Sequence, residues 1–407
     1  MSSFSSSFLL SLAQQYGTPL YVYEASLIRE RYREMISWFF HQPTKIFYAM
    51  KANYNLAILK ILLEEGANID AVSPAEILLA LKIGFKPHQI LYTANMMSNE
   101  EIHKVKKLNV LFNIGSLSEL ERYGTLYPHS DVCLRFNPDV VAGHHEKVKT
   151  GGKDTKFGIL LEDLEKTKEI CKQHHLKIIG IHEHTGSGIP QTSEQFQGIV
   201  NTLSIIKPEH FPNLEFVDFG GGFQIPYHED EPRADYAAFG TKLVATFQQC
   251  CKSYGRDLRL YFEPGRYLVA EAGTLLVEAT TLKHNAGKTI VGVNSGFNHL
   301  LRPVLYDSYH KIINLSNPTG TPQLYDVVGN ICETGDHFAK DRLISKIEEE
   351  NILAICDAGA YGYAMGSIYN LRSMPTEIVI EHGKILFHKP ALTPPKLIQK
   401  IISDHNY

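Results

Sequence analysis

The chain has 407 residues, 44% hydrophobic and 21% charged, with 30 glycines and 19 prolines, a composition that excludes disorder, collagen and simple repeats. Its 40 basic and 44 acidic residues give a net charge of −4, so no bulk electrostatic force draws it to nucleic acid or anionic lipid. The six cysteines (Cys133, Cys171, Cys250, Cys251, Cys332, Cys356) form no CxxC pair, which fits a reducing, cytoplasmic setting better than a disulfide framework or a zinc ribbon. No apolar run approaches the roughly 20 residues that a membrane helix needs.

The opening MSSFSSSFLLSLAQQYG has no basic segment before its apolar stretch and reads as an N-terminal helix rather than a signal peptide. PLYVYE (19–24) has strand character. Eight runs rich in Val, Ile, Phe and Tyr follow: KIFYAM (45–50), NIDAV (68–72), QILYTA (89–94), NVLFNI (109–114), DVCLRF (131–136), KIIGIHEH (177–184), LEFVDFG (214–220) and LRLYFEP (258–264). Helical patterns such as LAILKILLEEG and PAEILLALKIGF lie between most of them, and the early spacing of about 22 residues accommodates one strand, one helix and two short loops. This predicts an α/β fold with a (β/α)8 barrel over 25–270, a doubly wound open sheet being the alternative. After about residue 270 the pattern becomes strand, turn, strand, as in AGTLLVEATTLKHNAGKTIVGVNSGF and TEIVIEHGKILFHK. Residues 271–407, joined by 1–24, therefore read as a β-rich second domain.

Active sites of such barrels lie at the C-terminal ends of the strands. Lys51 follows the first strand in YAMKANYN; a lysine desolvated there has a lowered pKa and can bond covalently to a carbonyl, the plainer reading being a snorkelling side chain. After the sixth strand, HEHTGSG places His182 and His184 where they suit a metal, a stacked flat ring or a structural role, with Ser187 close by. FGGGF (Gly220, Gly221, Gly222) is neither a Walker A loop nor GxGxxG; it fits an anion nest or a tight turn. EPGR presents Glu263, Gly265 and Arg266, which can address two ends of a polar ligand or form an ion pair at the rim. Arg302 and Tyr306 in LRPVLY, Cys332 and Glu333 in CETGD, and Tyr361 in DAGAYG are weak signals singly. Together, a strand-end lysine, a ring-stacking histidine, glycines for a phosphate and a glutamate for a pyridine nitrogen make up what a pyridoxal phosphate (PLP) site needs. No HExxH and no strand-end Asp/His quartet is present, so no metal is expected.

At this point the sequence resembles the alanine-racemase-fold, PLP-dependent decarboxylases, and among them the branch acting on diaminopimelate, from about Thr18 to about Pro390. YAMKANYN, HEHTGSGI, FGGGF, EPGRYLVAEAG, LRPVLY, CETGD and DAGAYGYAMGSIYN follow one another in that family's order. The resemblance implies that Lys51 carries PLP, that His184 stacks on its ring, and that Glu263 faces its pyridine nitrogen. It implies that Ser187, Gly221, Gly222, the Gly265–Arg266 turn and Tyr361 hold the phosphate. Arg266, Arg302, Tyr306, Glu333 and Tyr361 would bind substrate, and Cys332 would be the proton donor. Cys332 and Glu333 would be contributed by the partner in a homodimer with shared sites. Asp70 would lie near the lysine, while Arg135 and Lys156 look structural or interface-related. The implied reaction is decarboxylation of meso-2,6-diaminopimelate to L-lysine and CO2, the last step of lysine biosynthesis.

An arginine and a tyrosine at the distal end of the pocket suit a carboxylate, and Glu333 suits an ammonium. A sister decarboxylase acting on ornithine, arginine, lysine or a conjugated amino acid is the alternative; a racemase of the same fold and an inactive PLP carrier are others. The sequence departs from the family pattern at Asn294–Ser295–Gly296, at Glu183 and in TANMMS. The segment holding His144 and His145 is either a loop over the pocket or a solvated insertion.

Overall fold

The computed structural model describes residues 4–141, 143, 145, 151–152, 154–188 and 192–404. After a helix over Ser6–Tyr16 come β1 (Leu20–Glu24), β2 (Thr44–Ala49), β3 (Asn68–Ala71), β4 (Ile90–Tyr92), β5 (Leu111–Ile114) and β6 (Asp131–Asn137). Then follow β7 (Ile159–Leu160), β8 (Lys177–His182), β9 (Phe216–Asp218) and β10 (Arg259–Phe262). The remaining strands are β11 (Gly273–Asn285), β12 (Lys288–Val293), β13 (Ile312–Asn314), β14 (Pro322–Val328), β15 (His337–Ser345), β16 (Ile352–Ile355), β17 (Thr376–Glu381) and β18 (Lys384–Lys389).

β2, β3, β4, β5, β6, β8, β9 and β10 pair in parallel in that order, and β10 returns to pair with β2, so the eight strands close into a barrel. The open-sheet alternative is thereby excluded. Each of the eight strand-like runs in the sequence coincides with one barrel strand to within a few residues at either end. The short β7 adds to β6 outside this circuit. The other sheet runs β15-β14-β12-β11-β1-β17-β18, with β16 paired to β11 and β13 paired to β16. β1 sits in its middle, antiparallel to β11 and parallel to β17, as the strand character of PLYVYE suggested.

Three successive barrel helices begin with the same local device. Ser73, Ser98 and Ser116 each accept a hydrogen bond from the backbone N–H of the glutamate three residues on, Glu76, Glu101 and Glu119. Such caps satisfy donors that a helix start leaves open, at about 1 kcal/mol each.

Inside the barrel, the period-two alternation of strands sets two layers. Phe47, Leu91, Cys133, Phe216 and Tyr261 form an apolar floor, with the Phe216 and Tyr261 rings stacked at 4.3 Å. On β8 a Cβ at Gly180 would stand 2.1 Å from the Phe216 ring, so only glycine leaves room for it. Two residues further along each strand the chemistry changes. Thr93, Arg135, His182, Asp218 and Glu263 stand above Leu91, Cys133, Gly180, Phe216 and Tyr261, with Asp70 level with Ala49 on the neighbouring strand. All six are buried. The barrel thus carries a polar layer directly above its apolar floor, at its C-terminal mouth.

Candidate active site

A cavity of about 400 Å3 opens on this polar layer. The barrel contributes Lys51, Thr93, Asn95, Arg135, Phe157, His182, His184, Ser187, Gly221, Gly222, Glu263, Gly265 and Arg266 to its wall, and the second sheet region adds Arg302, Tyr306, Tyr361 and Met365. Every expected site residue except Cys332 and Glu333 therefore lines one cavity.

Lys51 lies in a 3-10 turn, Met50–Ala52, immediately after β2. Its side chain is 43% accessible because it faces the cavity, and its Nζ donates to Asp70 Oδ2 at 2.5 Å. Asp70 also accepts from the Thr93 hydroxyl. Sequence reasoning expected a lowered lysine pKa; the structure reverses this. Burial disfavours the cation, but the Asp70 carboxylate, aided by Tyr361 and Glu263, outweighs it and holds Lys51 above its ordinary range.

Glu263 accepts or shares a proton with His182 Nε2 at 3.0 Å, while its other oxygen, Oε1, is buried without a partner. Burial pushes its carboxyl up to about 7. Asp218 lies within reach of the same pair and is pushed up by burial and by Glu263. His184 is held neutral by burial, and its Nδ1 accepts the Gly221 N–H at 3.1 Å. The glycine turn requires its glycines: Gly220 (φ 60°) would place a Cβ 2.7 Å from His184 Nδ1, and Gly221 one 2.7 Å from the Glu263 carbonyl.

Arg266 is buried and donates to the Tyr227 hydroxyl at 2.8 Å and to Ser187 Oγ at 3.3 Å. Tyr361 adopts φ 57°, unusual for a residue with a side chain, and its hydroxyl stands near Gly265, where a Cβ would come within 3.0 Å. Arg302 opens a short helix, Arg302–Tyr306, and is only 1% exposed. Among the described residues no carboxylate lies within ion-pair distance of it; its bonds go to His310 and Ser308.

Cys332 and Glu333 do not reach this cavity. Both are exposed; Cys332 N–H donates to Asn370 Oδ1 at 3.1 Å, and Glu333 accepts from the Tyr369 hydroxyl at 2.8 Å. Asp336 fixes their loop by accepting from the N–H groups of Phe297 and Ile331, each at 2.7 Å.

Arg135 needs correction. Read from sequence as structural or interface-related, it stands in the cavity wall with Nη2 unpartnered, its guanidinium 4.8 Å from the Phe157 ring centre. An arginine two residues beyond an inward cysteine on a barrel strand was the available signal. Asp218, Tyr227 and His310 were missed altogether; Asp218 gave the same period-two signal in FVDFG, the other two gave none. His144 lies outside the described residues, and the His145 ring meets Tyr306 at 5.8 Å.

The departures from the family pattern also find physical accounts. Asn294 ties β11 to Thr18 through its side chain, and Ser295 bonds His299. Thr93 and Asn95 of TANMMS shape the cavity itself. Glu183 is buried beneath the mouth, bonded to Thr185 Oγ1 at 2.9 Å, and burial lifts its carboxyl to about 8. In the folded chain it therefore holds a proton that the unfolded chain releases near pH 4.5. Its contribution makes stability fall as pH rises between about 5 and about 8. Glu183→Gln is expected to flatten that part of the slope and to raise the melting temperature at pH 8, as measured by thermal unfolding of both proteins across the range.

Residues 25–270 match the family described as "Pyridoxal-dependent decarboxylase, pyridoxal binding domain". The chain belongs to the pyridoxal-dependent decarboxylases. Its cofactor is pyridoxal 5'-phosphate. Within the family it sits among the diaminopimelate decarboxylases: it is 40% identical to that of Methanothermobacter thermautotrophicus over 384 residues, 92% of this chain and 90% of the relative. It is 33% identical to that of Escherichia coli K12 over 393 residues, 92% of each. The crystal structure of diaminopimelate decarboxylase from Helicobacter pylori complexed with L-lysine superposes with a TM-score of 0.88 at 30% identity, covering 98% of this chain and all of that one. The fold is thus the alanine-racemase-like barrel with its β-rich companion, as expected. No helix among the described residues is long and apolar enough to cross a membrane.

The side chains fit the cofactor. Buried polar atoms without partners, Glu263 Oε1, Arg135 Nη2, His182 Nδ1 and Arg266 Nε, cluster at the cavity. Unsatisfied groups gathered in one buried place call for a polar occupant.

Proposed function

We propose that this protein decarboxylates meso-2,6-diaminopimelate to L-lysine and CO2, with Lys51 as the cofactor's covalent attachment point. When bound, PLP supplies an electron sink for the carbanion left by loss of CO2. Glu263 would hold a proton toward the pyridine nitrogen through its free Oε1, with His182 fixing the carboxyl. His184, neutral and pinned by Gly221, would lie against the ring. Ser187, Gly221, Gly222, the Gly265–Arg266 turn and Tyr361 would take the phosphate. Arg302, Tyr306, Arg266 and Tyr361 would orient the substrate's far end.

Arg302 carries this reading of the substrate. A guanidinium 1% exposed, in a cavity wall, without any carboxylate partner among the described residues, is costly to bury unless a ligand supplies the anion. A substrate with a cationic distal end, such as ornithine, would be repelled there. Diaminopimelate brings a second carboxylate, with an ammonium beside it for the Glu333 of a second copy.

The exposed Cys332 loop supports a homodimer with shared sites. Ile368, Tyr369 and Leu371 around it are 41%, 43% and 58% exposed, an apolar patch suited to a second copy. Seated there, the Cys332 thiol of one copy would deliver the proton to Cα in the cavity of the other.

The test is CO2 release by the PLP-loaded enzyme from meso-diaminopimelate, L-ornithine, L-arginine and L-lysine side by side. Release from meso-diaminopimelate alone, with lysine formed, is expected. Release from another amine only would overturn the assignment of Arg302 while leaving the cofactor site standing.

A further inference from the structure

Resting on that reading, we propose that His310 and Ser308 form a charge-neutral cradle that positions the Arg302 guanidinium and reserves its positive charge for the substrate's distal carboxylate.

The bonding behind Arg302 carries this, through two residues that do not line the cavity of the reacting centre. His310 is fully buried. Its Nδ1 lies 2.9 Å from the Cys356 carbonyl, which can only accept, so Nδ1 carries the proton. Nε2 is then a lone pair, and it accepts from Arg302 Nε at 3.4 Å. Ser308 Oγ accepts from Arg302 Nη2 at 3.1 Å. The His310 backbone is pinned in turn, since its carbonyl accepts from Arg342 Nη1 at 2.7 Å.

Burial together with Arg302 presses the imidazole down to about 3, so it remains neutral across the working range. The Tyr227 ring completes the cradle. It lies 5.3 Å from the Arg302 guanidinium and 5.8 Å from that of Arg266, and its hydroxyl accepts from Arg266. It stands edge-on to His310 at 5.6 Å. A π-face between two cations tempers their repulsion without cancelling either charge.

Both groups that the Arg302 side chain donates to, His310 and Ser308, are thus neutral acceptors, and among the described residues no carboxylate lies within ion-pair distance of it. Two of its donors are directed and its charge remains uncompensated. A carboxylate at position 310 or 308 would keep the hydrogen bond but satisfy the charge internally, and the fork would have nothing left to attract a ligand anion. His310 and Ser308 are positioning residues; neither lines the cavity at the reacting centre.

The ligand class that this arrangement recognises is an α-amino carboxylate at the far end of the chain. L-Lysine, the product, keeps that carboxylate; cadaverine lacks it. Calorimetric binding of both to the PLP-loaded wild type, H310Q, H310E and S308D tests the idea. H310Q supplies a neutral acceptor and donor in place of the imidazole and is expected to bind L-lysine within about threefold of wild type. H310E and S308D are expected to bind it roughly thirtyfold more weakly or worse, with cadaverine binding unchanged. In turnover of meso-diaminopimelate the same two variants should raise KM by a similar factor while kcat moves less than about threefold.

Ser308 is partly exposed, so S308D carries the test should H310E fail to fold. A folded H310E or S308D that binds L-lysine as wild type does would overturn the proposal, and so would equal weakening toward cadaverine. A wild-type enzyme that turns over ornithine and ignores meso-diaminopimelate would instead overturn the substrate reading beneath it.

Discussion

Replacing Lys51 by alanine is expected to lower kcat for meso-diaminopimelate by roughly 10^4-fold or more, because the covalent attachment point is lost outright rather than weakened. The geometry adds a second expectation that a merely catalytic lysine would not produce. Lys51 is the cation against which Asp70, fully buried, is balanced, and their contact is 2.5 Å. Lys51→Ala leaves that carboxylate with only the Thr93 hydroxyl, and removing one partner of a buried pair costs about 3–5 kcal/mol. Asp70 must then protonate to remain buried. The cofactor-free variant should melt lower than wild type at pH 8 and recover as pH falls, since protonation removes the uncompensated charge. Lys51→Ala combined with Asp70→Asn should restore the melting temperature without restoring activity. Thermal unfolding against pH, beside CO2 release, separates the two effects. Activity within tenfold of wild type in Lys51→Ala would remove the lysine from its assigned place.

How the pocket is wired was only partly legible in the sequence, and the reason is the period of the strands. Lys51, Glu263, Arg266 and the glycine turn could be found because each sits in a short motif at the end of an apolar run. Arg135 and Asp218 lie within their strands rather than in a motif beyond them, where the side-chain alternation decides whether a residue faces the barrel axis. That direction follows from register between strands, here Arg135 level with His182 and His182 level with Asp218, and register is a property of pairs. The barrel itself was legible because eight apolar runs at near-regular spacing leave few alternatives. The sign of the Lys51 pKa was not, because it depends on a residue 19 positions away that a parallel strand pairing brings alongside. Tyr227 and His310 were invisible for a related reason: they act on Arg266 and Arg302 from behind, from loop positions that no strand-end motif marks.

Cys332→Ala is expected to lower the rate of lysine formation by roughly 10^2–10^3-fold, the usual worth of a positioned general acid. The more informative experiment mixes it with Lys51→Ala. In a single chain the Cys332 loop stays outside the cavity, its backbone tied to Asn370 and its neighbour Glu333 to Tyr369. Asn370 holds a left-handed conformation at φ 58° that asparagine tolerates better than most residues, so the loop is presented outward in a fixed shape. A thiol so placed is open to the cavity of a second copy, as the proposed shared site requires. If each site takes Lys51 from one chain and Cys332 from the other, a mixed dimer of the two inactive variants contains one site with both residues intact. Random reassortment of equal amounts should then recover about a quarter of wild-type activity. Were Lys51 and Cys332 to act within one chain, every site would lack one of them and mixing would recover nothing. Unfolding and refolding the two variants together, against each refolded alone, gives the comparison. Recovery to about a quarter supports a shared site, whereas no recovery from a mixture shown by size to be dimeric would place the proton donor elsewhere in the cavity.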